Sequence, residues 1–187
     1  MLHEPASSAS FPAIPDILQV KVLALNNLAY HLRLIGDPTA MEYARTGLSL
    51  AREQGAITLM PYLLSTLGEI ELDQGDLSAA QSYFDDGLAL AERLSIPERI
   101  AGLTANLGLV ARERGENALA IHRLSTALAR ADALGTQHLA AQIRLWLAPL
   151  LPPAEARARL AEARAIAESS GRRRLLEEAV RLAGQIP

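Results

Sequence analysis

The chain has 187 residues, of which half are apolar and only 4% are aromatic, and it carries no cysteine. The missing cysteine excludes disulfides, thiolate metal sites and cysteine nucleophiles, and it fits a reducing compartment such as the cytoplasm. The net charge of -3, from 18 basic and 21 acidic residues, is not the basic footprint of a nucleic-acid-binding protein, so we predict no nucleic-acid partner. Alanine and leucine dominate and runs of β-branched residues are missing, which predicts an all-α protein.

The first fifteen residues have a composition of their own. They read MLHEPASSASFPAIP, with Pro5, Pro12 and Pro15 around a cluster of serine and alanine. They lack the basic and apolar regions of a signal peptide. We therefore predict a flexible N-terminal tail over residues 1–15 and a helical repeat domain over residues 16–187. No stretch reaches about 18 uninterrupted apolar residues, so no membrane-spanning helix is predicted.

One phrase then recurs three times along the chain. It reads NLAYHLRLIGD at 27–37, TLGEIELDQGD at 66–76 and NLGLVARERGE at 106–116. A small residue follows each phrase at Ala40, Ala80 and Ala120, which sets the period at 40 residues. Self-similarity at such a period indicates a repeat architecture. Each unit reads as helix, tight turn, helix and linker.

Small residues recur inside the predicted helices, at places where two antiparallel helices would cross. Helices approach to about 8 Å only where their contact residues are small. In the first helix of each unit these residues are Ala29, Gly68 and Gly108, and in the second helix they are Gly47, Gly87 and Ala127. Phe84 and Leu124 supply bulk beside the predicted crossings.

The turns and linkers carry local signals. Gly75-Asp76 and Gly115-Glu116 place a glycine at the end of one helix and an acid at the start of the next, as helix termini favour. Ser95-Ile96-Pro97-Glu98 matches a capping box that would open the third unit, with Ser95 as the N-cap.

A fourth unit is degenerate, with Pro152-Pro153 in place of the glycine-acid turn. The segment after it, 172–184, has apolar residues on one face and charges on the other, as expected of a helix that covers the last apolar face of a solenoid. The predicted units are about 16–56, 57–96, 97–136 and 137–171, followed by a capping helix at 172–184.

The Leu-Gly pair, the Gly-Asp turn, the small residue and the later Ala-Leu pair resemble the tetratricopeptide repeat (TPR). The 40-residue period resembles its long-period type, found in kinesin light chains and in sensor regions of bacterial regulators. This resemblance implies a right-handed α-solenoid of antiparallel helix pairs. It also implies a cytoplasmic protein-protein interaction module, not an enzyme, within a larger bacterial regulatory or scaffold protein. The tryptophan expected early in the first helix is absent.

The resemblance also implies that the first helix of each unit lines a concave groove that binds a peptide or protein segment. Asn27, Thr66 and Asn106 would form a row of polar groups along it, although each asparagine could instead pack against a neighbouring helix. The other predicted groove residues are Tyr30, Arg33, Tyr62, Glu69, Asp73, Leu109, Arg112 and Trp146. Glu69, Asp73 and Glu113 would make its mouth acidic, and Tyr30, Tyr62 and Trp146 would act as aromatic anchors, with a core position as the alternative for Trp146.

No sequence signal of catalysis or of a cofactor is visible. His3, His31, His122 and His138 lack metal-ligand spacing, and no phosphate-binding loop or nucleophile elbow occurs. We therefore predict no metal, no cofactor and no enzymatic activity. The alternative function is a self-associating scaffold, a homodimer formed through Trp146 and the apolar end faces.

Overall fold

The computed structural model of the chain describes residues 17–186, so the predicted tail at 1–15 lies outside the described residues. Within that part all regular structure is helical, which confirms the all-α prediction. The α-helices are α1 (Ile17–Leu34), α2 (Ala40–Glu53), α3 (Met60–Gln74), α4 (Leu77–Arg93), α5 (Pro97–Glu113), α6 (Asn117–Ala133), α7 (Gln137–Leu147), α8 (Pro153–Ser169) and α9 (Arg173–Ala183). Short 3-10 turns at Ile57–Leu59 and Ala148–Leu150 flank α3 and α7.

The helices stack as a solenoid. Each helix packs on the next one along the chain, and each odd-numbered helix also contacts the following odd-numbered helix. The apolar core is accordingly a series of clusters between successive helices rather than one centre. Since each unit buries its apolar face only against its neighbours, stacking supplies the stability that a single helix pair lacks.

The recurring glycines make room for bulky side chains. A Cβ atom added to Gly68 in α3 would lie under 3.0 Å from three ring carbons of Phe84 in α4. A Cβ added to Gly108 in α5 would lie 2.8 Å from Cγ of Leu124 in α6. Phe84 and Leu124 thus sit directly on the glycines, not beside the crossings as predicted. Both side chains are fully buried.

The turn between α3 and α4 forms as the sequence predicts. Gly75 ends α3 in the left-handed conformation with φ +83°. Asp76 is the N-cap of α4, where its Oδ1 accepts a hydrogen bond from the Ala79 amide at 2.9 Å. The glycine and the acid therefore have separate tasks, one ending a helix and the other starting the next.

The predicted capping box at Ser95 is wrong. Ser95 has φ +52° and ends the turn after α4, where equivalent linkers have a glycine. Ile96 is the N-cap residue of α5, and no side chain caps that helix. The left-handed conformation of Ser95 is a helix-ending geometry, whereas an N-cap requires extended backbone.

The last helix covers the end of the stack. Leu175, Ala179 and Leu182 lie on one face of α9, one helical turn apart, and are buried against α7 and α8. Arg173 and Glu177 form an ion pair on the solvent side of α9. The helix α9 therefore has an apolar inner face and a charged outer side, as expected of a capping helix.

Candidate functional site

One groove runs across the odd-numbered helices. It has a volume of about 970 Å³ and is lined by side chains of α1, α3, α5, α7 and α9, with no lining residue from the even-numbered helices. A helix presents residues three, four and seven positions apart on one face. In α5 this face carries Arg99, Gly102, Asn106, Leu109 and Glu113. The groove is therefore built by repetition of one helix face.

Eight of the eleven residues predicted from the sequence line this groove: Tyr30, Arg33, Glu69, Asp73, Asn106, Leu109, Arg112 and Trp146. The other three do not. Asn27 is exposed outside the groove lining. Tyr62 lines a smaller adjacent cavity of about 580 Å³. Thr66 is buried between helices, where its hydroxyl lies 2.9 Å from Asn26 Oδ1 and 3.2 Å from the Tyr62 carbonyl oxygen.

The predicted row of polar groups at Asn27, Thr66 and Asn106 does not form along the groove. Asn106 is only 5% exposed. Its amide nitrogen donates to Ser65 Oγ at 3.2 Å and to Glu69 Oε1 at 3.1 Å, so it links α5 to α3. These contacts match the alternative in which asparagine packs against a neighbouring helix. They also leave its amide donors engaged inside the protein.

Arg33 in α1 continues this polar connection across the groove floor. Its Nη2 lies 3.0 Å from Glu69 Oε2, and its Nη1 lies 2.7 Å from Asp73 Oδ2, both in α3. Burial disfavours the charge on the Arg33 guanidinium, but the two carboxylates outweigh burial and raise the pKa of Arg33. Three successive odd-numbered helices are thereby tied together through Glu69.

The groove is balanced in charge rather than acidic at its mouth, so that prediction is wrong. Glu69 and Asp73 pair with Arg33, and Glu113 pairs with Arg112 at 2.8 Å. Salt bridges neutralise the acids that the sequence alone shows as a negative cluster. The charged residues of the lining are Arg33, Arg99, Arg112, Arg174 and Arg181, with Glu69, Asp73, Glu113, Glu177 and Glu178.

Aromatic side chains hold two of the groove arginines in place. The Arg33 guanidinium lies 5.3 Å from the ring centre of Tyr30, and that of Arg99 lies 4.5 Å from the ring centre of Tyr62. Both distances are within cation-π range. Trp146 is half-buried against the cluster of α5, α6 and α7 while it also lines the groove. It therefore does not lie on an end face of the stack.

Sequence reasoning missed several lining residues. Arg99, Gly102, His138 and Gln142 lie on the groove face of α5 and α7, and α9 adds Arg174 and Arg181. The spacing of Arg99 and Gly102 from Asn106, seven and four residues, was the signal that could have found them. The α9 residues were missed because that helix was predicted only as a cap.

Within residues 17–186 no three histidine or acidic side chains are grouped as metal ligands would be. None of the helices described there combines the length and apolar character that crossing a bilayer requires.

No protein-family model and no curated protein sequence matches the chain. Solved structures do match its fold. The chain superposes on the APC/C hetero-tetramer Cut9-Hcn1 with a TM-score of 0.62 and 24% identity, over 85% of this chain and 30% of that one. It superposes on aspartyl phosphate phosphatase F from Bacillus subtilis with a TM-score of 0.64 and 20% identity, over 90% and 45%. The chain thus spans less than half the length of either protein.

A third structure matches over nearly its whole length. It is the kinesin light chain with nearly identical TPR-like repeats from Podosopora anserina, with a TM-score of 0.52 and 13% identity, over 92% of this chain and 97% of that one. At these identities the likeness concerns the fold. The chain is therefore an all-α solenoid of the TPR-like type, as the sequence predicts.

Proposed function

We propose that the chain is a protein-protein interaction module that holds a peptide or protein segment in the groove of its odd-numbered helices. The observation that carries this proposal is the groove itself. Five helices contribute to one surface of about 970 Å³, and the even-numbered helices contribute nothing to it. A pocket of this volume is at the upper end of ligand sites, and its elongated construction from successive repeats suits an extended segment.

The lining has the mixture that protein interfaces use. Leu34, Leu72, Leu109 and Leu139 lie among the charged side chains, and Trp146 adds a large aromatic surface. Aromatic residues and arginine are enriched among the residues that dominate binding energy. We further propose that the module serves a larger bacterial regulatory or scaffold protein in the cytoplasm. Its match to only part of two longer chains supports the larger size in this proposal.

Gly102 allows a direct test of the groove. It lines the groove, and a Cβ added there would have one neighbour, an Arg99 guanidinium nitrogen at 4.0 Å. Gly102→Tyr should therefore fill the groove without disturbing the core. Ala129→Tyr, at an exposed position of α6 outside the groove, is the matched control.

Partner capture from a lysate of the source organism would compare the two variants with the native chain, after circular dichroism has shown equal helicity. We expect the native chain and Ala129→Tyr to retain the same proteins and Gly102→Tyr to lose them. Equal retention by Gly102→Tyr would show that the groove is not the binding surface.

A second candidate function, self-association, is favoured by the exposed face of α1. Leu28 in α1 is 41% exposed, whereas the equivalent Leu67 in α3 and Leu107 in α5 are 0% and 3% exposed because α2 and α4 cover them. Ile17 and Val20 of α1 are also exposed. This end of the stack therefore offers apolar surface of the kind that a second copy could cover.

The mass of the chain in solution would test self-association. If α1 forms a dimer interface, the mass rises with concentration and Leu28→Glu returns it to the monomer value. Val180→Glu, at an exposed apolar position of α9, is the control that should change nothing. A mass that stays at one chain across the concentration range would remove this candidate.

A further inference from the structure

Two groove arginines share an unusual feature. Among the described residues, Arg33 Nε and Arg99 Nε are the buried side-chain nitrogen or oxygen atoms that have no hydrogen-bond partner. Buried polar groups in native proteins nearly always have a partner, so an unpaired one calls for an explanation. Both atoms are donors, and both belong to side chains that line the groove. Since both Nε atoms are shielded from solvent, a bound segment would contact these arginines through their other guanidinium nitrogens.

Arg99 differs from three of the other four groove arginines in its electrostatic surroundings. Arg33, Arg112 and Arg181 each pair with a carboxylate of the groove. Arg99 stacks on Tyr62 and forms no ion pair with any residue of 17–186. Its guanidinium is therefore positioned by an aromatic ring while its charge stays uncompensated.

More positive charge lies close to Arg99. Arg174 lines the groove with it, Arg172 lines the adjacent cavity with it, and neither forms an ion pair within the described chain. His138 lines both spaces. We call the three arginines, Arg99, Arg172 and Arg174, the cationic corner; His138 is a neighbour that adds no charge, because burial and Arg172 lower its pKa. Glu98 is the acid of the adjacent cavity, and Glu177 of the groove is engaged by Arg173, so positive charge exceeds negative charge here.

We propose that the cationic corner binds an acidic side chain, aspartate or glutamate, of the segment that occupies the groove. This proposal rests on the proposed function of the groove. Arginine presents a planar fork of donors that matches a carboxylate, and charge-assisted bonds of this kind are about twice as strong as neutral ones. The stacked Tyr62 ring keeps the fork oriented before the ligand arrives.

The carboxylate comes from within the segment rather than from its end. The groove and the adjacent cavity share Arg99, His138 and Leu139, so the space for a bound chain continues past the cationic corner. Arg33 marks the opposite side. Arg33 occupies the position in the first unit that Arg112 occupies in the third. Arg112 lies thirteen residues after Arg99 in α5, which is about 20 Å along the helix axis. A segment that reaches from Arg99 to Arg33 therefore needs at least about six extended residues.

A peptide selection can test this inference on the full chain. Random 16-residue peptides displayed on phage would be selected on the native protein, and the selected sequences would be synthesised with an amidated C-terminus. We expect an aspartate or glutamate at a fixed position. Exchange of that residue for its amide should weaken binding by about tenfold or more, as should Arg99→Gln, because each removes one charge-assisted bond. The two changes combined should weaken binding little further.

Arg130→Gln is the matched control, since it removes an exposed arginine of α6 that lies outside the groove; we expect less than about a threefold loss, because solvent screens a distant exposed charge. If the selected peptides have no fixed acid, or if Arg99→Gln leaves their binding unchanged, the proposal that the cationic corner binds an acidic side chain is wrong. The proposal that the groove binds a segment would still hold. If no peptide is selected whose binding is lost in Gly102→Tyr, both the groove proposal and the cationic-corner proposal are wrong. Circular dichroism of each variant shows whether a loss reflects unfolding.

Discussion

The odd-numbered helices have two faces that follow different rules. On the face toward the even-numbered helices, α3 and α5 repeat the same arrangement, Gly68 under Phe84 and Gly108 under Leu124. On the groove face the arrangement changes at every step, with Glu69 joined to Arg33 in one unit and Arg99 left without an acid in the next. Packing is thus periodic, whereas the groove chemistry is not. The difference shows that helix packing constrains the repeated positions, whereas the groove positions can differ from one unit to the next.

The largest expected effect concerns the packing face. Gly68→Ala places a methyl group against the buried Phe84 ring. Overpacking of this kind costs about 1–3 kcal/mol, which exceeds the gain of about 1 kcal/mol in helix propensity. Chemical denaturation should show a lower free energy of unfolding. A neutral or stabilising result would mean that the glycines are incidental and that the packing face is not built as described.

The next effect separates two asparagines at equivalent positions. Asn106→Ala removes a buried amide and leaves Ser65 and Glu69 without that donor, which should destabilise the chain by about 1–3 kcal/mol. Asn27→Ala, at an exposed position of α1, should change stability by no more than about 0.5 kcal/mol. Both are measured by denaturant unfolding. Equal effects would show that position in the repeat, rather than local contacts, decides the role of asparagine.

A glycine on the groove face provides the contrast to Gly68. Gly102→Ala meets only Arg99 at 4.0 Å, and Gly102 lies inside α5. Alanine should therefore raise the free energy of unfolding by about 0.5–1 kcal/mol. Thermal unfolding of the two glycine variants side by side should give shifts of opposite sign. A loss of stability at Gly102 would contradict the open space assigned to the groove face.

The smallest effect depends on pH. Burial, together with the nearby charge of Arg172, lowers the pKa of His138 below its ordinary value of 6.5. As the pH falls below that value, the unfolded chain binds a proton at this histidine before the folded chain does, so stability declines. His138→Gln should remove this part of the decline, and Arg172→Gln should reduce it. An unchanged pH profile of unfolding in His138→Gln would contradict the assignment.

The periodic part of the molecule could be predicted from the sequence because packing repeats leave a repeated sequence. The period of 40 residues predicts the helix pairs, and Gly75-Asp76 predicts the turn between α3 and α4. Ser95 misled the prediction because a serine three residues before a glutamate is a typical capping-box signal, yet the linker needs a left-handed residue there. The backbone conformation nevertheless repeats, because Ser95 and its counterparts Gly55 and Gly135 all have a positive φ.

The groove could be predicted only in part. Helical spacing places Glu69, Asp73 and Arg112 on the groove face, but it does not tell which charges meet across helices. The ion pairs of Arg33 with Glu69 and Asp73 join residues 36 and 40 positions apart. The isolation of Arg99 follows from those pairings and from its stacking on Tyr62, 37 positions earlier in the chain. Such contacts depend on how successive helices are placed relative to one another. The residue pattern of a single helix does not determine that placement.

Site-specific photo-crosslinking tests the central claim most directly, that the groove face binds a protein segment. Benzoylphenylalanine would replace Gln142, which lines the groove on α7, or Ala129, which is exposed on α6. We predict that irradiation in a lysate of the source organism gives a discrete adduct from position 142, which Gly102→Tyr abolishes, and none from position 129. An adduct from position 129 alone, or one at position 142 that survives Gly102→Tyr, would contradict this account.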